Sequence, residues 1–105
     1  MRADPTGQRF LYLLGYAYAK AGRQREAEEV LHKLEDISSR EYVISSFIAR
    51  IYAALGKRDE AFALLEKALE EREYTAPRLN VDPAFDSLRD DPRFADLMRR
   101  VGLPQ

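Results

Sequence analysis

The chain repeats itself at a spacing of 34 residues. Laid against itself at that offset, it places Tyr18 on Tyr52, Ala19 on Ala53, Gly22 on Gly56 and Glu26 on Glu60. Ala27 falls on Ala61, Leu31 on Leu65 and Lys33 on Lys67. Seven identities in the sixteen columns from 18 to 33 compare with about one expected from ordinary composition. Leu14 over Ile48, Gly15 over Ala49 and Val30 over Leu64 extend the match chemically. A period of this size belongs to stacked supersecondary units, none of which buries its apolar face alone. The 105 residues therefore read as a short stack and not as two globular domains.

Each unit reads as two helices. Leu11, Leu14 and Tyr18, and then Ile48, Ile51, Tyr52 and Leu55, recur at helical spacing. Gly22 and Gly56 stand where a helix stops on a left-handed residue, a conformation that glycine adopts without steric cost. A second periodic run follows each glycine: Ala27, Val30, Leu31 and Leu34, then Ala61, Leu64, Leu65, Ala68 and Leu69. The small residues Gly15, Ala49, Ala27 and Ala61 let the paired helices approach closely, with Tyr18, Tyr52, Leu31 and Leu65 filling the space around them. Ser38 followed three residues later by Glu41 has the capping-box pattern. The spacing predicts helices near 7–21, 24–36, 39–55 and 58–73.

The final thirty residues follow a different pattern. Pro77 restricts the residue before it and is expected to end the fourth helix. Asp82-Pro83-Ala84-Phe85 and Asp91-Pro92-Arg93-Phe94 repeat a D-P-x-F motif, in which aspartate caps a helix that begins on proline. Short helices are expected at about 83–89 and 92–100, the second closed by Gly102. Phe85 with Leu88, and Phe94 with Leu97, Met98 and Val101, make one apolar stripe each. Phe62 replaces Glu28 of the first unit and calls for a cover, which this tail can supply.

The unit L-x-x-L-G-x-x-Y, then A-x-x-x-L, resembles the tetratricopeptide repeat. Its positions are Leu11, Leu14, Gly15, Tyr18, Ala27, Leu31 and Leu34, and in the second copy Ser45, Ile48, Ala49, Tyr52, Ala61, Leu65 and Ala68. The copies depart from the family pattern at Ser45, where a large apolar residue is usual, and at Ser39 and Glu73, where a proline often stands. The resemblance implies an all-α fold: a right-handed α-solenoid of two antiparallel helix hairpins capped by two short C-terminal helices. The division expected is a lead-in at 1–7, repeats at 8–41 and 42–75, and a capping segment at 76–105. The tail resembles a segment that follows the last such repeat in some bacterial multidomain proteins.

Composition excludes several functions. With 17 Lys/Arg against 18 Asp/Glu, the chain has no broad attraction for phosphate backbones or anionic lipid. The absence of cysteine removes disulfides, thiolate metal sites and a cysteine nucleophile. The longest uncharged run, Phe10 to Ala19, is too short to span a bilayer. No phosphate-binding loop, metal motif or cofactor motif is present. His32 has no ligand partners at a recognised spacing, and its column-mate is Glu66, which points to a solvated helix face. Ser38 and Ser39 have no base nearby in sequence, and the carboxylates of Asp82, Asp86, Asp90 and Asp91 are explained by caps and turns. The expectation is a cytoplasmic, non-enzymatic module that binds protein and neither nucleic acid nor membrane.

In the family the first helix of each unit lines a groove that takes peptide. The resemblance thus implies a peptide-binding lining of Arg9, Tyr12, Tyr16 and Lys20 from the first copy. Val43, Ser46, Phe47 and Arg50 come from the second, with Lys57 at the rim. Residues 9, 12, 16 and 20 fall on one helical stripe, and tyrosine and arginine are frequent binding hot spots. The alternative is that Tyr12 and Tyr16 only half-cover the core. Arg9, Lys20 and Arg50 favour an acidic peptide. The family members that clamp a terminal carboxylate use asparagine and lysine where Tyr12 and Tyr16 stand, which speaks against that ligand class. A second row on the first helix, Phe10, Leu13, Ala17 and Ala21, makes that helix apolar nearly all round. Such a helix belongs between neighbours, so either the chain is the last piece of a longer array or the row mediates self-association as a homo-oligomer.

Overall fold

The computed structural model describes residues 7–40, 42–72, 78–79 and 81–101. The helices are α1 (Gln8–Lys20), α2 (Gln24–Ser38), α3 (Ser45–Ala54), α4 (Arg58–Glu70) and α5 (Pro92–Val101), with a 3₁₀ turn at Pro83–Leu88 before the last. No strand occurs among the described residues. α1 packs on α2 and α3 on α4 as two hairpins, α3 also lies on α1, and the 3₁₀ turn and α5 cover α3 and α4 respectively. The fold is an α-solenoid of two helix hairpins.

The two glycines close their helices identically. Gly22 and Gly56 both have φ of +80°. Gly22 N–H donates to the Ala19 carbonyl at 3.2 Å and Arg23 N–H to that of Tyr18 at 2.8 Å. One period later Gly56 donates to Ala53 at 3.1 Å and Lys57 to Tyr52 at 2.9 Å. These pairs satisfy carbonyls that a helix end leaves open. Tyr18 and Tyr52 hold the same place in this motif and are both partly buried. Tyr52 additionally touches both apolar clusters, and burial, followed by the charges of Glu35, Glu60 and Glu28, pushes its phenol up.

Two helix boundaries differ from expectation. The third helix does not open on a Ser38–Glu41 capping box. Ser38 is the last residue of α2, and its hydroxyl donates to the Glu35 carbonyl at 2.6 Å; Glu41 lies outside the described residues. α3 starts at Ser45 because the β-branched residue before it is held extended, with ψ of 106° at Ile44. Ile44 N–H donates to the Tyr12 hydroxyl at 2.8 Å, which in turn donates to Gln8 Oε1 at 2.9 Å. Gln8 Nε2 donates to the Tyr42 carbonyl at 3.1 Å. Two hydrogen bonds from α1, joined by the Tyr12–Gln8 bond within it, thus fix the start of α3. The fourth helix ends at Glu70, before Pro77: Arg72 takes φ of +54° and donates its N–H to the Leu69 carbonyl at 3.1 Å. Pro77 and Gly102 lie outside the described residues, as do residues 1–6 of the lead-in expected at 1–7.

The core has two continuous parts. One joins Val30, Leu31, Leu34 and Ile37 of α2 to Tyr12 of α1 and to Ile48 and Ile51 of α3. The other joins Ala61, Phe62 and Leu65 of α4 to Leu79, Phe85, Leu88, Phe94, Leu97 and Met98 of the tail. Phe62, 4% exposed, lies under the tail with the Arg93 guanidinium 4.3 Å from its ring centre. Ion pairs from α4 to the tail, Asp59–Arg93 at 3.0 Å and Arg58–Asp91 at 3.5 Å, sit at the surface, where such pairs contribute little. Apolar burial is what holds the tail down.

Both aspartates of the D-P-x-F motifs cap. Asp82 accepts from Ala84 N–H at 2.9 Å and Asp91 from Arg93 N–H at 3.0 Å. The Arg93 side chain, and then its N–H, hold the Asp91 carboxyl at about 2 against an ordinary 3.8. A carboxyl lowered by folding stabilises the native state above its unfolded value and loses that contribution as the pH falls through the folded value. We therefore expect the first turn of α5 to open as the pH drops from about 4 to about 2, ahead of α1 and α2. Amide exchange at Phe94 and Ala95 would show this, and exchange there unchanged across that window would contradict it.

Candidate functional site

α1 and α3 enclose a cleft of about 290 Å³ lined by Arg9, Tyr12, Leu13, Tyr16, Phe47 and Arg50. Its floor is aromatic: the Tyr12 and Phe47 rings meet edge to face at 5.1 Å, a favourable geometry for their opposed quadrupoles. The Arg50 guanidinium lies 5.1 Å from the Phe47 ring centre. Arg9 is exposed at the mouth and Tyr16 is half-buried. The register of α3 on α1 creates the cleft, and that register depends on Gly15. A Cβ there would stand 2.7 Å from Ile51 Cδ1 and 3.0 Å from Val30 Cγ1.

Two models of the tetratricopeptide repeat match the sequence, at residues 8–33 and 46–74. Together they cover more than half of the chain, and they fall on the two hairpins. The chain belongs to the tetratricopeptide repeat family. No curated protein and no solved structure matches it. Tetratricopeptide repeats are generally protein–protein interaction modules and typically non-enzymatic scaffolds. No helix among the described residues of this repeat protein is long and apolar enough to cross a membrane. None of their His, Asp and Glu residues forms a group of three or more that could hold a metal ion. His32 is exposed on α2.

The eight residues expected to line the groove of this tetratricopeptide repeat do not act alike. Arg9, Tyr12, Tyr16, Phe47 and Arg50 converge on the cleft. Val43 and Ser46 do not: they are 7% and 2% exposed, and Val43 belongs to the apolar cluster under α3. Val43 precedes α3, which starts at Ser45, and Ser46 lies on the buried side of its first turn. Lys20 is exposed but lies outside the cleft lining. Lys57 reaches Glu28 at 3.6 Å, tying the hairpins together. Tyr12 is 8% exposed and part of the core; its ring also borders the cleft, and its hydroxyl accepts from the Ile44 N–H at the start of α3.

Sequence reasoning missed Asp82. Its carboxylate accepts from Arg50 Nε at 2.9 Å and lies 2.7 Å from Arg50 Nη2. Both contacts fall on Oδ2, because Oδ1 is taken by the Ala84 N–H. The D-P-x-F cap announced the carboxylate but carried no sign that it would turn toward α3. Leu13 was read only as part of the outer row, yet it also borders the cleft.

Proposed function

We propose that this chain is a protein-binding module that holds a peptide segment in the cleft between α1 and α3. The observation that carries the reading is the convergence of Arg9, Tyr16, Phe47 and Arg50 around one opening, where a charged rim surrounds an aromatic floor. The peptide that suits it places an apolar side chain against Phe47 and a carboxylate toward Arg9 and Arg50. Asp82 already supplies one carboxylate to Arg50, so an acidic peptide competes with the chain's own tail for that guanidinium.

The test is titration of the labelled protein with acidic and basic peptides of equal length that share one apolar residue. The acidic peptide is expected to shift the signals of Tyr16, Phe47 and Arg50, and the basic one to leave them in place. Equal shifts, or shifts confined to other helices, would contradict the reading. Asp82→Asn sharpens the test, because asparagine keeps the helix cap while removing the charge that competes for Arg50. We expect it to tighten acidic-peptide binding several-fold, in line with the up to about 1 kcal/mol of a partly exposed ion pair. Unchanged affinity would mean that the peptide does not use Arg50.

The outer row of α1 supports a second reading, in which two copies associate. Phe10 is 65% and Leu13 63% exposed, with Ala17 and Ala21 exposed beside them. A monomeric mass by light scattering at high concentration would remove that reading.

A further inference from the structure

We infer that the tail regulates the cleft: an acidic ligand on Arg50 loosens the 3₁₀ turn and the start of α5, and a firmly seated turn weakens that ligand. This rests on the peptide reading of the cleft and reaches residues that line no part of it.

The coupling lies in one carboxylate. Asp82 Oδ2 accepts from Arg50 Nε at 2.9 Å and lies 2.7 Å from Nη2. Its Oδ1 accepts from the Ala84 N–H at 2.9 Å and caps the turn. Both oxygens belong to one planar group, so the hold of Arg50 on Oδ2 also aims Oδ1 at Ala84. The Asp82 side chain is 13% exposed and that of Arg50 36%. The guanidinium is therefore open to a ligand, while its present partner is largely enclosed. A ligand carboxylate that draws Arg50 toward the cleft leaves Asp82 less firmly oriented, and the cap weakens.

Asp82 is joined in turn to α5. Arg89 Nη2 donates to the Asp82 carbonyl at 3.1 Å and Arg89 Nε to Asp86 Oδ1 at 2.8 Å. The same guanidinium lies 5.4 Å from the ring centre of Phe94, which is buried in the first turn of α5. Arg50, Asp82, Arg89 and Phe94 thus form a continuous series of contacts from the cleft to α5, the kind of network that carries coupling between sites. Burial of Phe85, Leu88 and Leu97 keeps the tail docked, so the response is a loosened turn and not a released tail. Coupling is reciprocal: the ligand weakens the turn by the same factor by which the turn weakens the ligand.

Amide exchange and peptide affinity, both measured on the intact chain, test the two directions. The probes are acidic and basic peptides of equal length, each with one apolar residue. Saturating acidic peptide is expected to speed exchange at Ala84 several-fold and at Phe94 to a smaller extent, with α2 unchanged. This measurement uses the unaltered sequence and decides the matter without any variant. Arg89→Ala removes the brace on Asp82 and should tighten the acidic peptide by about two- to five-fold. Loss of a positive charge by itself would weaken an acidic ligand, so the sign of the change separates coupling from general electrostatics. Arg99→Ala, exposed on α5 beside Asp96, removes the same charge and should leave the affinity equal or slightly lower. Exchange at Ala84 that the bound peptide does not change, or no tightening in Arg89→Ala, would overturn the inference and leave the peptide reading in place. An acidic peptide that fails to shift Tyr16 and Phe47 would remove the peptide reading and this inference with it.

Discussion

Phe85→Ala is expected to lower the stability of the protein by about 3–5 kcal/mol, the usual range for deleting a buried phenylalanine side chain. Phe85 belongs to a short 3₁₀ turn near the end of the chain, a place where an alanine substitution would ordinarily be tolerated. Here it is wholly buried among Ala49, Ala61, Phe62 and Leu65. It follows Ile51 by one period, and each of the two is fully buried against the hairpin before it. A domain has about 5–15 kcal/mol of stability in total, so this loss should leave the variant marginally folded at 25 °C. Urea unfolding gives the comparison. A loss below about 1 kcal/mol, the level of a typical point substitution, would mean that the tail does not form part of the core.

Ile51→Ala is expected to cost about 2–5 kcal/mol. Ile51 is fully buried where α3 crosses α1, and alanine would leave a void that Gly15 on the opposite helix has no side chain to fill. The effect should also reach function, because the cleft exists only while α3 keeps its register on α1. We expect the variant to lose the peptide-induced shifts of Phe47 even under conditions where it remains folded. Retention of full stability would place Ile51 outside the seam.

How much of this was legible in the sequence depended on whether the signal was periodic. Gly22 and Gly56 announced their turns one period apart, and the backbone closes both in the same way. The burial of Leu31, Leu34, Leu65 and Ala68 followed from helical spacing in the same manner. The start of α3 did not. It is set by Tyr12 and Gln8, more than thirty residues away in sequence, and a local capping pattern at Ser38 competes with that distant contact and loses. Val43 and Ser46 were assigned to the groove by transfer of the family's lining, and both are buried. Arg50, expected in the groove from its place in the repeat, borders the cleft, but its partner Asp82 comes from the nonrepeating tail, whose path no internal copy could indicate. Arg72, a non-glycine residue at positive φ, carries no sequence mark for its conformation.

The cleft rests on the claim that α3 lies on α1 with Ile51 over Gly15. A double-mutant cycle on that pair tests it most directly. Gly15→Ala adds a Cβ that would stand 2.7 Å from Ile51 Cδ1, and Ile51→Val removes that very carbon. Alanine also gains up to about 1 kcal/mol in helix propensity over glycine, but the cycle cancels this because it appears in both backgrounds. The account predicts that the two changes relieve one another, with a favourable coupling of about 0.5–3 kcal/mol in urea unfolding. Effects that add to within about 0.3 kcal/mol, as they do for residues that do not touch, would contradict it.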